Sequence, residues 1–304
     1  MSGPARLGLL VLLALIWGST WLVIKIGLAD LPPFLSAALR FALAAAILFF
    51  LARLRAVPLL GSRRAHLIFL GLGLTVYWVS YGVVYWGEQY LASGLTAVLF
   101  ATNPLFTLLL AQGVLPAERV TPRKLLGVAL GFLGVVLIYR ADLAFTHPRA
   151  PIAAVIMLLS PLAAAVSTVA IKRWAGHVHP YNLTILPMGY GAAALFLTSI
   201  LTEEMGDARW SAGAIGSVVY LAVLGSVIAF VAYYTLLRQI PVTTLNLLSY
   251  VFPVVAVGLG YLILDEVLPP LAVAGAVLIV AGIALATWRR RVAPAPEASA
   301  RRSR

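Results

Sequence analysis

Leu7–Leu28 reads LGLLVLLALIWGSTWLVIKIGL, 22 residues with one charge, Lys25, close to the end. A helix rises ~1.5 Å per residue, and about 20 mostly apolar residues cross ~30 Å of hydrocarbon. The stretch is therefore long enough to span a bilayer once. It exceeds the apolar core of a typical signal peptide, and no convincing cleavage pattern accompanies it, so it reads as a retained signal-anchor helix.

The same pattern recurs along the chain. Further windows run Phe34–Ala52, Ala65–Gly87, Leu91–Leu115, Thr121–Tyr139, Ile152–Ile171, Tyr181–Thr202, Ala212–Leu237, Val242–Leu264 and Leu268–Trp288. The fifth is the shortest, and Arg123 and Lys124 at its start can snorkel. The connections are short and leave no room for a soluble domain. Of 304 residues, 62% are hydrophobic and 11% charged, with a mean hydropathy of +1.01. Soluble domains hold ~45–50% apolar and ~25% charged residues. The apolar runs are continuous rather than alternating, which argues against a β-barrel. The expected fold is an all-α integral membrane protein with ten transmembrane helices. No cysteine is present, which excludes disulfides and thiolate sites.

The net charge of +12 is mainly a topology signal. With the N-terminus inside, 17 Lys and Arg fall in inside segments and three, Arg140, Arg149 and Arg209, outside. Positive loops stay in the cytoplasm, so both termini are expected there. Residues 289–304 form a basic tail read as disordered, whose arginines suit anionic headgroups better than nucleic acid.

The two halves resemble each other. Asn103-Pro104 in span four is followed by Glu118, and Phe252-Pro253 in span nine by Glu266. Gly127 and Gly134 lie nine and sixteen residues beyond Glu118, as Gly275 and Gly282 lie beyond Glu266. Ile24-Lys25 parallels Ile171-Lys172. An odd number of spans per half requires the second to be inserted upside down, and inverted repeats of this kind are a transporter architecture. The expected units are residues 7–139 and 152–288, five helices each.

Trp17-Gly-Ser-Thr-Trp21-Leu-Val-Ile-Lys25, Pro32-Pro33, Leu39-Arg40-Phe41, Asn103-Pro104-Leu-Phe and the Glu118 and Glu266 turns resemble EamA-type proteins of the drug/metabolite transporter superfamily. The resemblance covers roughly Leu7 to Trp288. Glu88-Gln89 with Ser93-Gly94 is similar to the YedA-like permeases, a group beside the YddG-type amino-acid exporters. The resemblance implies two EamA repeats and export of small metabolites across a bacterial-type inner membrane. The second half lacks the Trp-Gly start, and Pro187 stands at the counterpart of Arg40.

Candidate site residues follow from what lipid cannot tolerate. Pro104 and Pro253 each remove a helix hydrogen bond, freeing the Phe100 and Ser249 carbonyls; a gating hinge and a plain packing kink both fit. Asn103, Asn246 and Tyr250 stand beside these breaks. Trp17, Trp21, Tyr77, Trp78, Tyr81 and Tyr234 are candidates for an aromatic cavity wall, with Tyr77, Tyr81 and Tyr85 on one helical stripe. Lys25 and Arg40 are the in-span cations, able to meet an anionic substrate group, pair with Glu88 or, in the bland case, snorkel. Gly127-x3-Gly131 and Gly71-x-Gly73 are small-residue packing signals, expected to act within the chain.

No Walker loop is present, and His177-x-His179 reads as a solvated loop rather than a metal site. Glu203, Glu204 and Asp207 read as solvated outer acids. The expectation is a non-enzymatic exporter of small metabolites, amino acids first, hydrophobic or aromatic ones included. The alternatives are export of drugs or other metabolites and an integral membrane enzyme. No cofactor, metal or nucleic acid is expected, the partners being a small-molecule substrate and the lipid bilayer, with the chain a monomer or weak homodimer.

Overall fold

A computed structural model describes residues 1–59, 61–116, 118, 120–143, 147–255 and 270–287. Asp265, Glu266, Trp288 and the tail 289–304 lie outside the described residues, as do the end of span nine and the start of span ten.

The described residues form ten principal helices: α1 (Gly3–Leu28), α2 (Pro33–Leu54), α3 (Arg63–Gly87), α4 (Ser93–Val114), α5 (Pro122–Ile138), α6 (Ala150–Ala175), α7 (Ile185–Thr202), α8 (Ala212–Leu237), α9 (Val242–Val255) and α10 (Pro270–Thr287). Eight are long and apolar enough to cross a membrane; α5 has 17 residues, and α9 is described only to Val255. The chain is an all-helical, multi-pass membrane protein. Short connections alternate the helices between a near end, which holds the N-terminus, and a far end. Leu22, Phe50, Ile152, Leu201 and Val277 are exposed around the bundle, where acyl chains would cover them.

Local chemistry sets the helix starts. Ser62, Thr121 and Ser211 cap α3, α5 and α8 by accepting from Ala65 N, Lys124 N and Ala214 N. α2 and α9 begin after Pro32 and Pro241, which have no capping oxygen. Distant carboxylates cap them. Glu203 at the far end accepts from Phe34 N at 2.7 Å and Leu35 N at 3.0 Å. Glu118 at the near end accepts from Val242 N at 2.8 Å and Thr243 N at 3.0 Å. Glu203 is thus a cap and not the freely solvated acid expected. A carboxylate at a helix N-terminus is favourable through both the hydrogen bonds and the dipole.

Three of the described helices contain a π-helical stretch. Gly73–Ser80 of α3, Ile171–Ala175 of α6 and Val223–Ile228 of α8 are π-helical. α4 breaks at Ala101-Thr102 and restarts at Asn103, with Pro104 in its first turn, where a missing N–H costs nothing. α9 winds as a 3-10 turn over Leu247–Tyr250 before Pro253. Both prolines therefore accompany interrupted helices.

The core has two parts. The larger fills the space among α1–α4 and α6–α9; the smaller, around Leu108, Val135, Tyr250 and Ile279, lies where α5 and α10 meet α4 and α9. α5 and α10 cross at glycines. A Cβ on Gly127 would lie 2.5 Å from Gly282 O, and one on Gly134 2.5 Å from Gly275 O. Gly73 of α3 meets α7 with the same closeness, whereas Gly71 faces open space. The Gly127 signal therefore acts within the chain.

Candidate functional site

A central, partly open cavity lies between α1, α3, α4, α6, α8 and α9, with about 890 Å³ of space unfilled by protein atoms, its open mouth included. α1 contributes Trp17, Thr20, Trp21 and Ile24, the face that recurs every three or four residues. α3 contributes Val76, Ser80, Tyr81 and Val84, and the break in α4 brings Phe100 and Asn103 to the wall. α6 adds Ala164, Ser167, Thr168 and Ile171; α8 adds Phe230, Tyr233 and Tyr234; α9 adds Leu245, Asn246, Leu248, Ser249 and Phe252.

The wall is an aromatic box with a polar seam. Trp17 packs against Phe230, Tyr233 and Phe252 at centroid distances of 5.6, 5.3 and 6.0 Å, and Trp21 against Phe100 at 5.7 Å. Such pairs hold the rings in fixed orientations. The seam crosses four helices. Thr168 and Tyr233 hydroxyls lie 3.2 Å apart, Tyr233 donates to Asn246 Oδ1 at 2.6 Å, and Asn246 Nδ2 donates to Thr107 at 2.6 Å. Asn103 Nδ2 donates to Pro161 O at 3.0 Å, tying the α4 break to α6. These bonds satisfy the amides in an apolar setting.

Among the expected cavity residues, Trp17, Trp21, Tyr81, Asn103, Tyr234 and Asn246 line the space together. Three do not. Tyr77 is fully buried one layer behind, its ring against Phe41, Tyr81 and Phe230. Trp78 turns to the periphery, 38% exposed, and donates to Thr198 on α7. Tyr250 faces away, its ring against Gly131 and its hydroxyl donating to Val128 O at 3.0 Å. Glycine at 131 leaves the room that accepts this ring.

The in-span charges also differ from expectation. Arg40 is completely buried, but it neither reaches the cavity wall nor pairs with Glu88. Its Nε donates to Ser226 Oγ at 2.9 Å, Nη1 to Tyr85 at 3.3 Å and Nη2 to Gly225 O at 3.2 Å. Its guanidinium lies 4.9 Å from the ring centre of Tyr81, whose ring is part of the wall. Arg40 thus locks α2 to the π turn of α8 from behind the cavity. Trp17 Nε1 donates to the same Gly225 carbonyl at 3.2 Å. Lys25 does not snorkel freely: its ammonium donates to the main-chain oxygens of Glu88 and Leu91. Glu88 is fully buried, and neither carboxyl oxygen has a hydrogen-bond partner.

Ser80, Phe100, Thr168, Phe230, Tyr233 and Phe252 belong to the wall although they were not among the candidates. The repeat could have found several: an offset of 149 residues carries Tyr81 to Phe230 and Asn103 to Phe252.

No group of three or more His, Asp or Glu that could hold a metal occurs among the described residues. A helical membrane bundle around an aromatic central cavity fits the class of polytopic membrane transporters. The chain is a member of the EamA-like transporter family, whose model matches residues 6–140 and 151–288. It is 33% identical over 304 residues to Escherichia coli K12 YedA, named an uncharacterized inner membrane transporter, covering 95% of this chain and 92% of that one. It is 27% identical over 309 residues to a protein of the same organism named a probable amino-acid metabolite efflux pump, covering 93% and 96%. A solved crystal structure at 22% identity superposes with a TM-score of 0.79 over 94% of this chain and 97% of that one, which shows a shared fold.

Proposed function

We propose that the chain exports small metabolites, amino acids with hydrophobic or aromatic side chains first among them, by alternating access around the central cavity. One observation carries this reading: the wall is built from equivalent positions of the two halves. At an offset of 147, Trp17, Thr20, Trp21 and Ile24 pair with Ala164, Ser167, Thr168 and Ile171, and all eight line the cavity. At 149, Tyr81, Val84, Phe100 and Asn103 pair with Phe230, Tyr233, Ser249 and Phe252, and again all eight line it. Two inverted units, residues 7–139 and 152–288, that share one site can exchange roles and open it to either side. The reciprocal approach of Gly127 to Gly282 and Gly134 to Gly275 supports the same relation.

The charge distribution supports both termini in the cytoplasm, and YedA's name supports the inner membrane. The aromatic box suits an apolar side chain, and the Tyr233–Asn246 seam offers neutral donors and acceptors to its polar head. The test is counterflow of labelled phenylalanine, tryptophan, leucine and threonine in proteoliposomes. Saturable, protein-dependent flux of the apolar members is expected; no flux across a broad metabolite panel, with folded protein, overturns the reading.

Among the described residues the wall carries no Lys, Arg, Asp or Glu side chain, which favours a second reading, export of uncharged amphipathic drugs or metabolites. Flux of such compounds without competition by amino acids would select it.

A further inference from the structure

Lys25 and Lys172 make the same contact at opposite ends of the bundle. Lys25, near the end of α1, donates to the Glu88 and Leu91 carbonyls in the turn between α3 and α4. Lys172, near the end of α6, donates to the Leu237 and Ile240 carbonyls in the turn between α8 and α9. Each ammonium clasps one lining helix to the turn joining two others, at the offsets of 147 and 149 that relate the cavity walls. The far clasp has something the near clasp lacks. Where it has Glu88, the near one has Leu237. The Glu88 carboxyl is wholly buried with both oxygens unpartnered, so its ionised form has nothing here to replace water.

Few charges face it. Lys25 on α1 is the cation beside it, its donors turned to the main chain. Arg40 on α2 lies beyond Tyr85, which accepts from it. α3 itself presents the phenol of Tyr85. The stretch of α6 packed against the end of α3, residues 150–170, carries no ionisable side chain.

We propose that Glu88 is a proton-binding site that latches the far clasp: protonated, it is buried with the clasp shut, and ionised, it draws the Lys25 ammonium off the carbonyls and opens that end. The step is a simple protonation, carboxylate plus a proton from the medium giving the neutral acid. The near clasp has Leu237 at the position of Glu88, and the carboxylate beside it, Glu118, already accepts from Val242 N, Thr243 N and the Thr243 hydroxyl, so it holds no unpartnered acid to load. The inference rests on the two-gate reading above and gives its gates different chemistry.

The sign follows from burial. Glu88 is the first residue past the third span, and burial pushes its carboxyl from 4.5 to about 8, with Lys25 pulling the other way. Water entering an open far end would return it towards 4.5. Closure is therefore fully favoured below 4.5, weakens as pH rises between the two values, and gains nothing from the proton above 8.

The chain has no cysteine, so one can be placed at will. Thr20→Cys on the cavity wall and, separately, Asp207→Cys in an exposed far-end loop are labelled with a hydrophilic maleimide in lipid nanodiscs. The Asp207→Cys rate normalises for thiolate chemistry. The normalised Thr20→Cys rate should rise at least about fivefold from pH 5.5 to 8.5, and Glu88→Gln or Glu88→Leu should hold it at the low-pH value throughout. A flat ratio with Glu88 present, or the same rise in both neutral variants, overturns the proposal. Labelling needs no substrate. A titrating label with no flux would sink the transport reading alone; flux with a flat label would sink this one alone.

Discussion

Gly134→Ala tests how tightly the α5–α10 crossing is built. The new Cβ would sit 2.5 Å from Gly275 O and 2.8 Å from Ile279 Cγ1, whereas ordinary contact begins at 3.4 Å. Main chain cannot swing aside, so the helices must part by about 0.9 Å, a gap that forfeits roughly a quarter to a half of each contact's dispersion energy. Overpacking of this kind costs about 1–3 kcal/mol, and alanine's better helix propensity returns up to about 1. The expected net loss is about 1–2 kcal/mol. Gly275→Ala meets Gly134 O at 2.5 Å and Ile138 Cγ1 at 2.8 Å, so it demands the same separation. Once the helices have parted for one methyl, the second enters nearly free. The double variant should be less destabilised than the sum of the singles by at least about 0.5 kcal/mol. Unfolding titrations in mixed SDS micelles measure all three. Neutral single variants, or strict additivity, would refute the close crossing. Among the described residues neither helix contributes to the cavity wall, so substrate selectivity should be unchanged in every variant that folds.

Glu118→Ala should cost about 2–4 kcal/mol by thermal unfolding, because it strands two N–H groups and the Thr243 hydroxyl on a buried, charged cap; Glu203→Ala, half-buried with two bonds, should cost less. Tyr233→Phe and Asn246→Leu should be coupled by at least about 0.5 kcal/mol in a double-mutant cycle through their 2.6 Å bond, and each should weaken substrate competition in the counterflow assay. Arg40→Lys keeps the charge but cannot span Ser226, Gly225 and Tyr85 at once, so it should lower the melting temperature by several degrees, about 1–3 kcal/mol, where a charge-only role predicts no change.

The helices were legible because spanning length and hydropathy are local properties: Leu7–Leu28 became Gly3–Leu28 with little change. The breaks in α4 and α9 were legible through Pro104 and Pro253. The π turns were not. GLTVYWVS over 73–80 reads as ordinary apolar helix, and the extra residue shows only in tertiary packing. The partners of Arg40 were hidden for the same reason. Two of them are a serine and a glycine carbonyl about 185 residues away, inside one of those π turns. Tyr250 was placed on the cavity by its closeness to Pro253, but a single glycine on α5 pulls its ring the other way. Sequence distance to a break says which turn a residue occupies; it does not say which face of that turn it takes.

The two halves of the wall match in position and differ in side chain. In the alternating-access reading proposed above, exchange between two openings requires states within a few kcal/mol of each other, and matching helices and matching lysine clasps favour that balance. A ligand, however, has a head and a side chain. A wall that was symmetric in its side chains would bind it equally well in two opposed orientations. Trp17 and Trp21 face Ala164 and Thr168 at equivalent positions, and Asn103 faces Phe252, so one side of the cavity offers indole surface where the other offers a hydroxyl. On the proposed reading, the backbone would keep the symmetry that switching needs, while the side chains would abandon it where recognition needs a direction. The proposal for Glu88, opposite Leu237, would extend that division from the cavity to its gates.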